Sequence, residues 1–157
     1  MSDPTTTPGP IANRVARIQR GEDPQLIGRL PSGWAILGNQ QPDPITGCCM
    51  LLPDPVVSSV NDLDESARAR FMLDFVRLGD AVLEATGAER INYLILCNQV
   101  AELHGHVIPR FATEAPDVRK LGPFEAYDFP GARRADATEG GPDRSLLERL
   151  RHALIGD

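Results

Sequence analysis

The sequence predicts an α+β domain: about five antiparallel strands in one sheet, with one long helix packed on it. Three observations carry this. Residues 25–52 run strand, turn, strand, loop, strand in close order, as a meander does. Residues 62–87 then hold one helix, with Phe71, Phe75, Leu78 and Val82 in a single apolar stripe. Two further strand-like runs, Asn92–Cys97 and Ala101–Arg110, follow with only Asn98-Gln99 and Val100 between them.

Taken in order, residues 1–10 are rich in Pro and Thr and predict a disordered N-terminus. Ile11, Val15 and Ile18 recur at i, i+4 and i+7, so 11–20 reads as a short amphipathic helix stopped by Gly21. Gln25–Leu30 and Trp34–Leu37 flank the turn Pro31-Ser32-Gly33. Residues 39–44 have loop chemistry. Cys48–Leu52 reads as a third strand, halted by Pro53-Asp54-Pro55. Asp62 and Asp64 are both candidate N-caps for the long helix, and Gly87 ends it. Residues 110–141 lack periodicity and predict an irregular, surface-wrapping arm. The final helix carries Leu146, Leu147, Leu150 and Leu154. The expected organisation is a disordered 1–10, a domain over 11–112, and a C-terminal arm and helix over 113–157.

Length and composition suit a single domain with a real core: 157 residues, 41% apolar and 24% charged. The formal net charge of −6 argues against a nucleic-acid-coating protein, which carries a basic stripe. No apolar run approaches the roughly 20 residues that cross a bilayer, so no membrane partner is expected. The N-terminus lacks the basic flank and apolar segment of a signal peptide. Three cysteines, Cys48, Cys49 and Cys97, form no disulfide framework on this reading. They read as small buried hydrophobes in a reducing cytoplasm.

Two of the three histidines stand one residue apart in Ala101–Arg110. On a continuous strand, Glu102, His104 and His106 share one face, while Leu103, Gly105 and Val107 share the other. The second set suits a sheet backed by a helix. The first is polar and ionisable, which suits an open site. Neutral imidazole is a nucleophile near neutral pH, since its unperturbed pKa is about 6.5. Attack on phosphorus gives a phosphoramidate and splits one difficult displacement into two. The neighbouring imidazole can contact phosphate oxygens and, when protonated, offset their charge. Arg110 is either a further counter-charge or a solvated surface arginine. The same Glu-x-His-x-His face also offers a carboxylate and two imidazoles for a metal ion, although three such ligands spread over roughly 13 Å of strand.

The run AELHGHVIPRF resembles the signature of the histidine triad (HIT) superfamily, His-x-His-x-His followed by two apolar residues. WAILGNQQP, GCCMLLP, V-x-x-V-x-DL, the long helix and INYLILCNQVAELHGHVIPR stand in that family's order, so the resemblance spans roughly residues 11–112. It implies a nucleotide hydrolase or transferase acting at an α-phosphate through a nucleotidyl-histidine intermediate. His104 matches the nucleophile and His106 the phosphate-contacting histidine. Asn98 matches a phosphate-positioning asparagine, and is otherwise a turn residue. Asn39 matches an asparagine that binds ribose hydroxyls in some members. No cofactor is implied beyond a divalent metal accompanying a polyphosphate substrate. Homodimers are common in the family, and one is expected here.

Two departures stand out. Glu102 replaces the first motif histidine, and Pro53-Asp54-Pro55 stands where a basic residue often follows the third strand. A carboxylate at 102 can accept a hydrogen bond from an imidazole and raise its pKa; exposed and ionised, it repels phosphate. A nucleotide-binding protein with weak or no catalysis is therefore the alternative expectation, and a metal site at Glu102, His104 and His106 a lesser one.

Overall fold

A computed structural model describes residues 7–156. The elements run α1 (Pro10–Gln19), β1 (Leu26–Leu30), β2 (Gly33–Leu37), β3 (Gln40–Gln41), β4 (Cys49–Pro53), α2 (Glu65–Thr86), β5 (Arg90–Leu94), β6 (Gly105–Arg110), α3 (Pro116–Arg119), α4 (Pro123–Ala126), β7 (Arg133–Arg134) and α5 (Arg144–Ile155). Five strands form one antiparallel sheet in the order β1-β2-β4-β6-β5, and β3 pairs with β7 beside it. The α+β class and the long helix stand as the sequence predicts. Of the expected disordered segment 1–10, residues 1–6 lie outside the described residues, and Pro10 already begins α1.

The first three long strands form the expected meander. Then α2 carries the chain to the far edge, and β6 returns between β4 and β5. Asp64 caps α2 by accepting the Ala67 N–H at 2.8 Å, and Gly87 closes it in the left-handed region at φ 74°. The stripe Phe71, Phe75, Leu78 and Val82 is buried against Ala35, Leu37, Cys49, Leu51 and Val107 of the sheet and Leu103 just ahead of β6. Leu146, Leu147 and Leu150 of α5 join the same core. On the opposite face, Ile11, Val15 and Ile18 of α1 cover Ile36 and Leu52. A third cluster joins Ile45, Cys48, Ile108 and Phe129, with the arm against the sheet. Cys48 and Cys49 thus face opposite sides of the sheet. Burial pushes the Cys48 thiol up to about 12, and all three cysteines are free thiols.

Two expected strands are shorter than the sequence suggests. The strand expected over 92–97 lies instead over Arg90–Leu94, and the chain beyond it leaves the ladder, reaching the left-handed region at Cys97, φ 54°. The segment 101–110 pairs only from Gly105. Ahead of it, the Leu103 N–H is taken by the Val57 carbonyl at 2.7 Å, outside any ladder. A ten-residue loop, 95–104, replaces the expected short connection. The arm is also more ordered than its composition suggests. Pro116 and Pro123 each open a four-residue helix, and Arg133–Arg134 pairs with Gln40–Gln41. No helix among the described residues is long and apolar enough to cross a membrane.

Candidate functional site

Gly105 sets the depth of the site. A Cβ there would lie 2.7 Å from the Phe75 ring, so only glycine lets β6 sit this low on α2. Leu103 and Val107 point into the α2 core on either side of it. His104 and His106 therefore take the other face, with ring centroids 5.0 Å apart and planes at 81°. Across the ladder, His106 stands between Met50 of β4 and Leu94 of β5.

His104 is buried, at 8% exposure. Its Nδ1 lies 2.7 Å from the Glu102 carbonyl oxygen. A carbonyl only accepts, so Nδ1 carries the hydrogen, and the lone pair of the neutral ring belongs to Nε2. The thiol of Cys97 sits 3.7 Å from the same Nδ1 and donates to the His104 carbonyl at 3.6 Å. Cys97 is thus a site residue that its hydrophobic reading in the sequence conceals. Burial, and then the neighbouring His104, push the His106 imidazole down to about 4. The expected charge offset by a protonated His106 is therefore not available near neutral pH. The ring acts there as a neutral hydrogen-bonding group. Phe124 of α4 packs edge-on against it at 5.5 Å, backed by Phe129 at 4.8 Å.

Glu102 is engaged by α1 and not by the imidazoles. Its two carboxylate oxygens accept the Ile11 and Ala12 N–H groups at the start of α1, each at 3.1 Å. The side chain is half-buried, and its hydrogen bonds go to these two amides and not to an imidazole. This also removes the carboxylate from the expected metal set. Among the described residues no group of three or more His, Cys, Asp and Glu is placed to hold a metal ion.

Asn39, just after β2, lines a cleft of about 510 Å³ with Ile11 and Arg14 of α1, Ile36, Met50 and Leu52. Its Oδ1 accepts from Arg14 Nη1 at 2.9 Å and Gln25 Nε2 at 3.0 Å. Both partners are donors, so the Asn39 amide hydrogens point elsewhere. Arg14 is anchored in turn by buried Asp23, to which Arg17 also donates. Burial pushes the Asp23 carboxyl up, but Arg14, the Gln25 N–H and Arg17 together hold the group below the usual carboxylate range. Arg14, Gln25 and Asp23 escape sequence reasoning because they meet only through the fold. Asn98 is exposed on the loop that precedes His104.

Arg110 is placed away from this constellation. It is buried, at 4% exposure, and its guanidinium is consumed internally. It pairs with Glu114 at 3.0 Å and donates to Asn92 Oδ1 and to the Leu121 and Val118 carbonyls. Neither the counter-charge nor the solvated reading describes it: Arg110 is the peg on which the arm hangs.

A family model for the HIT domain matches residues 33–113. The fold is similar to several solved structures. A histidine triad protein from Bradyrhizobium japonicum is 24% identical at a TM-score of 0.65, with 88% of this chain and 95% of that one covered. A histidine triad (HIT) protein from Sinorhizobium meliloti 1021 is 26% identical at a TM-score of 0.65, covering 88% and 94%. A Zn-bound histidine triad family protein from Mycobacterium smegmatis is 22% identical at a TM-score of 0.61, covering 87% and 88%. Comparison with curated proteins gave no match.

Proposed function

Because the chain belongs to the HIT domain family, we propose that it is a hydrolase or transferase acting at the α-phosphate of a nucleotide conjugate, with His104 as nucleophile. The observation that carries this is the 2.7 Å bond from His104 Nδ1 to the Glu102 carbonyl. It fixes the tautomer and leaves Nε2 as the attacking atom. Nε2 attacks the α-phosphorus, a P–N bond forms, and the bond to the leaving group breaks. The leaving group keeps the electron pair of that bond and takes up a proton. Water, or another acceptor, then attacks the same phosphorus, releases the nucleotide and restores the imidazole.

On this reading the nucleoside lies in the cleft between α1 and the sheet, with apolar walls from Ile36, Met50 and Leu52. The free amide hydrogens of Asn39 donate to a ribose hydroxyl. His106 and Asn98 receive the phosphate oxygens, His106 as a neutral donor. No resident cofactor is required; a divalent metal accompanies the substrate when that substrate is a polyphosphate. The proposed partner is a second copy of the chain. Met72, Leu73 and Val76 of α2 are 42%, 54% and 47% exposed, and β5 beside them is a free sheet edge. The proposed location is the cytoplasm, consistent with free thiols at Cys48, Cys49 and Cys97.

A screen of AMP- and GMP-linked conjugates, with wild type and His104→Ala side by side, tests the assignment. Turnover by wild type and its loss in His104→Ala are expected. A nucleotide-binding protein without chemistry is the second reading, favoured by the near-complete burial of His104. Calorimetric binding of a nucleoside monophosphate with no turnover of any conjugate would establish it instead.

A further inference from the structure

The first helix begins without the means to satisfy its own amides. Gly9, at the N-cap, has no side chain to offer, Pro10 at N1 has no N–H, and the first turn holds no acidic residue. The first donors left over are the Ile11 and Ala12 amides. Both are taken by a carboxylate roughly 90 residues further along the chain, one oxygen each. Gly9 is what lets it approach, since a Cβ at that position would lie 1.9 Å from Glu102 Oε1. The negative charge of Glu102 therefore sits at the positive end of α1, where the helix offsets it.

The other end of the same residue holds the nucleophile, through the carbonyl that accepts His104 Nδ1–H. Its two attachments thus join two parts of the site. One is α1, which with Ile11 and Arg14 walls the cleft beside Asn39 and Met50. The other is the loop that delivers His104 to the sheet. Met50 is the ladder partner of His106, so the wall and the phosphate-facing imidazole are neighbours.

We propose that Glu102 is a positioning residue: it latches the first helix onto the catalytic loop and so sets the nucleoside wall relative to His104. This rests on the reading of the α1 cleft as the nucleoside site. Glu102 stands where the family signature has a histidine, yet a histidine cannot do this work. Imidazole offers at most one acceptor for two amides, and none when protonated. Glutamine keeps the length and one acceptor oxygen, but its NH₂ group faces the helix donors. Restoring the signature histidine therefore impairs this protein.

The test compares the full-length chain with Glu102→Gln, Glu102→His and Gly9→Ala, the last of which dislodges the carboxylate from the helix side while leaving the catalytic loop untouched. Three readouts are taken: amide exchange at Ile11 and Ala12, AMP affinity by calorimetry, and kcat and KM on whichever conjugate the screen identifies. Faster exchange is expected at both amides in Gly9→Ala, and at one amide at least in Glu102→Gln and Glu102→His, each of which keeps no more than one acceptor. KM and the AMP dissociation constant rise by roughly tenfold in Glu102→His and Gly9→Ala, and by less in Glu102→Gln. The change in kcat stays within about threefold. Fast exchange with unchanged AMP affinity would overturn the proposal and leave an ordinary helix cap. Collapse of kcat at constant KM would overturn it too, by placing Glu102 at the reacting atoms. A Glu102→His variant as good as wild type would do the same. If wild type turns over no conjugate, the catalytic reading fails alone, and AMP affinity and amide exchange still decide the latch. If wild type does not bind AMP either, both fail.

Discussion

His104 and His106 are two residues apart and face the same way, but their surroundings differ. His104 donates from Nδ1 to a fixed carbonyl, whereas burial beside His104 keeps His106 neutral down to a pKa of about 4. That shift has a stability consequence. Between pH 6.5 and about 4 the unfolded chain protonates at His106 while the folded chain does not. Stability is therefore full above pH 6.5 and falls as pH drops toward 4. The contribution is on the order of 3 kcal/mol across that window. Denaturant titrations of wild type and His106→Gln at several pH values check it: the mutant's loss of stability from pH 7 to 4 should be shallower. Parallel curves would contradict it. At Gly105 the prediction is steric. Gly105→Ala drives a methyl group into Phe75 and should cost about 1–3 kcal/mol, read as a lowered unfolding midpoint.

Among the elements, the arm shows how a buried charge can serve packing instead of chemistry. Arg110 and Glu114 pair in the interior, and Glu114 also accepts from the Tyr127 hydroxyl at 2.6 Å and the Phe111 N–H at 2.7 Å. Burial pushes the Glu114 carboxyl up, but these donors together hold it below the usual range. Burial and the same carboxylate push the Tyr127 hydroxyl up to about 12, so it stays a donor. Arg110→Met strands a buried carboxylate and should cost about 3–5 kcal/mol, whereas Arg110→Met with Glu114→Leu should recover much of the loss. A double-mutant cycle by chemical denaturation checks this; equal losses in the single and double variants would contradict it. The elements also show what the sequence can disclose. The stripe from Phe71 to Val82 and the alternation Leu103, Gly105, Val107 fix two faces by period alone, and the structure keeps both. The role of Glu102 was not legible, because strand alternation assumes an unbroken strand, and this one starts only at Gly105. The donors to its carboxylate are two amides at a helix start some ninety residues away. In the sequence Arg110 reads as a counter-charge or a solvated arginine because nothing local announces Asn92 and the Leu121 carbonyl as its partners.

At the scale of the whole molecule, the sheet carries helices α2 and α5 on one face, and α1 and the arm on the other. The two histidines stand between those last two. The exposed Leu73 and Val76 belong to α2, on the sheet face opposite α1, so the dimer proposed through α2 and the edge strand β5 would leave the α1 cleft open. Sedimentation at micromolar concentration should give twice the chain mass, and Leu73→Glu with Val76→Glu should give one chain mass. A monomeric wild type would contradict the dimer without touching the site. The site itself is tested most directly by trapping its intermediate. Wild type and His104→Ala are mixed with the conjugate found by the screen, quenched without acid, and analysed by peptide mass spectrometry. The expected result is one nucleotidyl group on His104 of wild type, lost as product forms, and neither label nor turnover in His104→Ala. Turnover by His104→Ala at the wild-type rate, or a label carried by another residue, would contradict the central claim.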